Sequence, residues 1–208
     1  MKVIVIGATG QTGRHAVKHL LAAGHDVTAF ARNPLAFTER RERLRVAQGD
    51  ARDPESIDRA MSGQDAVIAA FGPRSLKKDD VQEVLMRNVV AAMTKHGVTP
   101  LVNLSAWGSG GEAVPAANPI ARYFFLPIVL RHLVADKKRG EEYLFTSALQ
   151  YVNVCPAFLK NAPARGGVKA SIDGRGLKQY MHREDLAAFM VAQLTDDTWL
   201  RQCVAIGY

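Results

Sequence analysis

Three glycines at fixed spacing, an arginine at a strand end where an acid is usual, and a serine closing an apolar run are the residues of this chain whose types could do chemistry. The glycines are Gly7, Gly10 and Gly13, in Gly-Ala-Thr-Gly-Gln-Thr-Gly. Each lacks a side chain for its own reason. Gly7 permits a tight exit from a strand, Gly10 lets backbone approach a pyrophosphate, and Gly13 lets a helix pack close to a sheet. Thr9 sits in the same turn. The N–H groups of Gln11, Thr12 and Gly13, with the positive end of a helix dipole, then face the phosphates. The spacing G-x-x-G-x-x-G differs from the usual G-x-G-x-x-G fingerprint, so its weight comes from context: Lys-Val-Ile-Val-Ile precedes it as a buried strand, and an amphipathic run from Arg14 to Ala23 follows, stopped by Gly24. A purely structural glycine turn is the alternative.

Asp26 to Arg32 reads as the next strand. A fold specific for NAD places an Asp or Glu near its end, about 20 residues after the glycine turn. Here Ala31, Arg32 and Asn33 stand there. A guanidinium suits a 2′-phosphate through forked, charge-assisted hydrogen bonds, which points to NADP(H) as cofactor. The alternative is a solvated strand-end charge. In Gly49-Asp50-Ala51-Arg52, Asp50 can accept from an adenine amino group and Ala51 can donate its N–H, or Asp50 simply forms the turn. Phe71 and Gly72 close the fourth strand, where the chain turns away from a nicotinamide ribose.

Ser105 ends the fifth strand, and a hydroxyl there can reach the nicotinamide and a bound acceptor, orienting one of them or relaying a proton. The plainer reading is a strand-end cap. A strong general acid is missing: the residues four places after Tyr123, Tyr143, Tyr151 and Tyr180 are Pro127, Ser147, Cys155 and Glu184, so no Tyr-x-x-x-Lys pair supports ketone reduction. His15 and His19 lack a zincin glutamate and a third ligand, so no metal is expected. No G-x-S-x-G signals a hydrolase.

The elements that must position these residues alternate. A helical piece over Pro34 to Arg43, a strand Leu44 to Gln48, and a helix capped by Asp53 and ending near Met61 are followed by the strand Asp65 to Phe71. Next come a helix from about Asp79 to His96 stopped by Gly97, the strand Leu101 to Leu104, a helix Asp136 to Thr146, the strand Tyr151 to Cys155, a helix Glu184 to Leu194 and a last strand Cys203 to Ile206. This pattern predicts an α/β fold: one Rossmann-like, doubly wound parallel sheet with helices on both faces, spanning 1–208 as one domain. Segments 106–135 and 156–182 build the substrate cleft, and the apolar run Tyr123 to Leu130 serves core or dimer packing, or else a lid.

With 208 residues and 48% hydrophobic content, the chain can bury one substantial core. Its net charge of +7 includes the run 39–45, where interspersed glutamates mark a solvated helix face. No nucleic-acid-reading motif accompanies it, so the basic surface is read as attracting an anionic cofactor and substrate. No apolar run reaches the roughly 18 residues of a membrane span. A cytoplasmic monomer or homodimer is expected, with Cys155 and Cys203 as reduced thiols.

Gly7 to Gly13, Gly63-Gln64-Asp65-Ala66-Val67-Ile68, Ala91-Ala92-Met93 with His96-Gly97-Val98, Ser105-Ala106, Tyr151-Val152, Asp173-Gly174-Arg175-Gly176 and Asp185-Leu186 with Phe189-Met190 resemble the biliverdin-IXβ reductase/flavin reductase family of atypical short-chain dehydrogenases. The resemblance implies reduction of flavins or linear tetrapyrroles by NADPH, with Thr9 to Gly13, Arg32, Asp50, Ala51 and Gly72 at the cofactor and Ser105 at the active site. Where the family has Pro-Pro-His, this chain has Pro156-Ala157-Phe158; a family histidine aligns with Lys137, which joins Ser105 as a catalytic candidate, while Pro156 stays at the cofactor. The rebuilt loop after Ser105 brings Trp107, and Trp107 and Phe158 suit a planar aromatic acceptor by stacking. The expected function is direct hydride transfer from NADPH to such an acceptor. The alternatives are a non-catalytic NADP(H)-sensing regulator of the NmrA type and an epimerase-like enzyme.

Overall fold

Along the first strand, side chains alternate between two cores. In a computed structural model that describes residues 1–37, 41–72, 80–107 and 131–208, β1 (Lys2–Ile6) sends Val3 and Val5 to one apolar cluster and Ile4 and Ile6 to the other, as the two-residue period of a strand requires. A strand buried on both faces is the central strand of a doubly wound sheet. α1 (Gln11–Ala22) returns over the first cluster, and β2 (Asp26–Ala31) pairs parallel to β1. β3 (Leu44–Gln48), α2 (Pro54–Met61), β4 (Ala66–Ala69), α3 (Val81–His96), β5 (Leu101–Leu104), α4 (Arg131–Phe145) and β6 (Tyr151–Pro156) continue the alternation. Then come β7 (Phe158–Lys160), β8 (Lys169–Ser171), β9 (Tyr180–His182), α5 (Arg183–Ala192) and β10 (Gln202–Gly207).

The sheet order is β3-β2-β1-β4-β5-β6-β10-β8, parallel throughout except for β8 against β10. The α/β doubly wound sheet expected from the sequence is the fold. α1 and α5 pack on one face through Leu20, Leu186 and Met190, and α2, α3 and α4 on the other through Ile57, Val89, Met93 and Leu144. Reversal of strand order between β1 and β4 opens a crevice at the carboxyl edge, the place where such sheets bind ligands. Among the described residues, no helix is long and apolar enough to cross a membrane.

Two readings need correction. Among the described residues of the expected helix from Pro34 to Arg43, the one helical piece is a 3-10 turn, Pro34–Ala36, whose Leu35 N–H donates to the Asn33 side chain at 3.0 Å. Phe37 leaves helical geometry at φ −120 and ψ 89, so the turn stops after one cycle, and Arg41 to Arg43 turn into β3. The cleft segment 156–182, for which the sequence pattern named no strand, contains β7 and β8. Each has three residues and is ordered by distant partners, β9 and β10. The run Tyr123 to Leu130, and most of the expected cleft wall 106–135, lie outside the described residues.

Candidate active site

The glycine turn is built as its spacing demands. Gly7 has φ +84, and a Cβ there would lie 2.7 Å from the Ala70 carbonyl oxygen at the end of β4. A Cβ on Gly13 would come within 2.1 Å of the Gly7 carbonyl oxygen, so only glycine lets α1 start this close to β1. At Gly10 the corresponding distance is 3.1 Å, which is tight but not prohibitive inside the protein. The Gly10 N–H donates to the Gly7 carbonyl at 2.9 Å, and the first helical bond is Arg14 N–H to the Gly10 carbonyl at 3.0 Å. The amides of Gln11, Thr12 and Gly13 thus precede the helix's own ladder. No acidic residue occupies the first turn and no side chain caps it. A helix terminus in this state attracts an anion.

Beside it lies a cavity of about 300 Å³. Gly7, Thr9, Gly10, Arg32, Asp50, Ala51, Phe71 and Gly72 all line it. Gln11, Thr12 and Gly13 form the adjoining helical turn. Arg32 is exposed at the rim, and no carboxylate takes its place at the end of β2. Asp50 already uses one carboxylate oxygen to close its own turn, accepting from Arg52 N–H at 3.0 Å. That turn is held from α3, where Asn88 donates to the carbonyls of Ala51 and Arg52 at 3.0 and 3.2 Å. A cradle without side chains, unladdered amides and an exposed guanidinium fit a phosphorylated dinucleotide. Pro156 lies apart from this cavity, buried at the end of β6, with its carbonyl accepting Trp107 N–H at 3.2 Å.

A second group of polar side chains sits behind Phe71. Ser105, 4% exposed, donates its N–H to the Val154 carbonyl at 2.7 Å, and its hydroxyl donates to Glu141. One helical turn before Glu141, the Lys137 ammonium donates to the Leu104 carbonyl at 3.0 Å and to Gln82 Oε1 at 3.3 Å. All four residues are buried. Burial pushes the pKa of Lys137 below the ordinary lysine value, with the charge of Glu141 pulling the other way. The neighbouring Cys203 thiol and burial push Cys155 well up, so it remains a thiol. Asn103 and Asn153, paired in register across β5 and β6, share a side-chain hydrogen bond of 2.7 Å beneath the cluster.

The placement of α4 explains why these side chains converge. A Cβ on Gly140 would meet the Gln82 carbonyl oxygen at 2.8 Å, so glycine allows α4 to cross α3 closely. Asp136 caps the start of α3 from outside, accepting from the N–H groups of Gln82 and Glu83 at 3.0 and 3.3 Å. Arg139 ties both partners, reaching Glu83 at 2.6 Å and Asp136 at 3.3 Å. Crossing and caps together turn Lys137 and Glu141 toward the carboxyl end of β5.

The two aromatic candidates part company. Phe158, 49% exposed, presents itself at the start of β7. Trp107 is 6% exposed and packs on Cys155 and Ala205, so its faces are spent on the sheet; it is a wall-forming residue rather than an open stacking surface. Glu141, Gln82 and Asn153 were missed by sequence reasoning. The detectable signal was Lys137-x-x-x-Glu141, which places both charges on one helical face, but that spacing usually marks a solvated pair.

Fold and crevice define a dinucleotide-binding domain of the doubly wound class. The chain belongs to the NAD(P)H-binding family, whose model matches residues 7–197. An uncharacterised chloroplastic protein of Arabidopsis thaliana is 35% identical over 180 residues, covering 80% of this chain and 62% of its own length. A (4-alkanoyl-5-oxo-2,5-dihydrofuran-3-yl)methyl phosphate reductase of Streptomyces griseus is 29% identical, covering 93% of this chain and 63% of its own. The chain thus spans less than two thirds of either relative. An anaerobilin reductase from Escherichia coli O157:H7 shares the fold with a TM-score of 0.82 at 22% identity, over 100% of this chain and 97% of that one.

Proposed function

We propose that the chain is an NADPH-dependent reductase that passes hydride directly to a planar aromatic acceptor of the flavin, linear tetrapyrrole or quinone class. The observation that carries this reading is one shared wall: Phe71 lines both the dinucleotide-sized cavity and the small void beside Lys137 and Glu141, next to Ser105. A bound reduced nicotinamide supplies the hydride and its two electrons. The chain supplies binding and orientation. Gly7 and Gly10 leave room for the pyrophosphate, the amides of Gln11 to Gly13 donate to it, and Arg32 forks onto the 2′-phosphate. Asp50 and Ala51 border the adenine. Ser105 Oγ–H gives a proton to the reduced acceptor, and the exposed Phe158 stacks on its ring. The name of the Streptomyces relative supports a reductase over an epimerase.

The sensor reading is favoured by one observation, that Ser105 is nearly inaccessible and its hydroxyl bonds to Glu141. An assay of NADPH oxidation against FMN, FAD, riboflavin, quinones and biliverdins, with calorimetric titration of NADPH and NADH, separates the two. The reductase reading expects oxidation with at least one acceptor. Tight NADPH binding without turnover on any of them would leave the sensor.

A further inference from the structure

β7 and β9 pair in parallel as a ribbon of their own, with Phe158 opposite Tyr180, Leu159 opposite Met181 and Lys160 opposite His182. Leu159 and Met181 turn to the core, so Phe158, Lys160, Tyr180 and His182 share the outward face. Two cations meet there on one tyrosine. The Lys160 ammonium lies over the Tyr180 ring, 4.1 Å from its centroid. The Arg165 guanidinium donates to the Tyr180 hydroxyl at 3.0 Å and lies 4.5 Å from the centroid of the Tyr208 ring. Behind them half-buried Arg183 donates to neutral oxygens, the Leu159 carbonyl at 3.3 Å and Asn161 Oδ1 at 2.7 Å.

Among the described residues, no carboxylate stands within ion-pair distance of Lys160, Arg165 or Arg183. The two acids next in the chain are committed elsewhere. Buried Asp185 accepts from the Arg165 and Gly166 N–H groups at 2.8 and 3.0 Å and from the Tyr208 hydroxyl, and Glu184 pairs with Lys18 at 2.9 Å. The same acids fix the loop that carries Arg165: Glu184 accepts from Ala164 N–H at 3.2 Å, while His182 Nδ1 donates to the Pro163 carbonyl at 2.7 Å. Cations gathered on one ring repel each other. Cation–π attraction offsets part of that repulsion, and a bound anion removes the rest.

We infer that Lys160 and Arg165 form an anion subsite, which takes a carboxylate or phosphate arm of the acceptor whose ring stacks on Phe158. The inference rests on the reductase reading and narrows it to acidic acceptors. Phe158 and Lys160 stand two residues apart on one face of β7, about 6.6 Å along the strand, so an arm of several bonds must join ring to anion. The ribityl phosphate of FMN and the propionates of a linear tetrapyrrole are such arms; riboflavin and simple quinones lack the charge. Tyr180 is the positioning residue that gathers the two cations. Lys160 and Arg165 hold the arm and take no part in hydride transfer.

The test compares acceptors that share a ring and differ in charge: FMN against riboflavin for a phosphate, biliverdin against its dimethyl ester for carboxylates. Full-length protein saturated with NADP⁺ is titrated into each, and binding is read from flavin fluorescence or tetrapyrrole absorbance, with kcat/KM measured alongside. The wild type should bind the anionic member of at least one pair about 10-fold tighter, and the preference should shrink in about 0.5 M salt. Lys160→Gln and Arg165→Gln should each cut that preference roughly 3- to 10-fold, and Lys160→Glu should abolish it. Both side chains are exposed, so thermal unfolding and NADPH affinity should stay near wild type in all three variants. Equal affinity for the two members of both pairs, no binding of any of the four, or a preference that survives in the folded variants overturns the inference. Oxidation of NADPH without the preference removes the subsite alone; the preference without oxidation of NADPH removes the reductase reading alone.

Discussion

The glycine turn and the α3–α4 seam are both polar devices at the carboxyl edge of one sheet, yet they are made in opposite ways. The turn is local: seven consecutive residues fix its backbone, and its donors are main-chain amides whose direction follows from the helix starting there. The seam is distant: Ser105 meets Glu141 across 36 residues and Lys137 meets Gln82 across 55, and its groups are side chains aimed by a helix crossing. Local backbone devices make a general anion site, which many functions can share. Side chains assembled from afar choose the chemistry.

The largest effect that sharpens this contrast lies within the turn. Gly13→Val pushes a branched side chain into the Gly7 carbonyl and should cost about 3 kcal/mol or more of stability, read as a lower urea midpoint. Gly10→Val has more room inside the protein and should fold, but with no measurable NADPH binding in calorimetry. Equal outcomes for the two glycines would break the division of labour assigned to them.

Next in size is Arg32→Ala, which should weaken NADPH by about 1.5–3 kcal/mol, the worth of a charged hydrogen bond, and leave NADH nearly unchanged. Parallel losses for both nucleotides would remove Arg32 from the 2′-phosphate.

The smallest effect belongs to the seam. Lys137→Met leaves the Leu104 carbonyl and Gln82 Oε1 without their donor and should cost about 1–2 kcal/mol in denaturant unfolding, with NADPH affinity held within about twofold. Its pH dependence carries a sign. Because burial lowers the pKa of Lys137 in the folded protein, the unfolded chain binds that proton more tightly, so wild-type stability rises with pH in the window below the usual lysine value of about 10.4. Lys137→Met should remove that part of the slope. A seam variant that abolished NADPH binding would join the two regions into one device.

The same contrast explains what the sequence disclosed. Strands β1 to β6 were legible because apolar runs alternate with helical periods, and the cavity-lining residues because each follows a recognisable strand end. Glu141 was not legible, since a glutamate four residues after a lysine reads as a solvated pair until the crossing at Gly140 buries it. Trp107 misled for the converse reason: an aromatic beside a catalytic candidate suggests stacking, and only the register of β6 and β10 shows Cys155 and Ala205 waiting for it. The strands β7 and β8 have three residues each and acquire their form only by pairing.

The central claim is that hydride moves directly from a dinucleotide held at the glycine turn to an acceptor beside Ser105. Single-turnover oxidation of NADPH carrying deuterium at the transferring position of C4, with the most active acceptor, tests it most directly. The account predicts a primary isotope effect that disappears when deuterium is placed on the opposite face, and a slower reaction in Ser105→Ala with unchanged NADPH affinity. Tight NADPH binding with no oxidation by any acceptor, or oxidation at equal rates for all three isotopic forms, would contradict it.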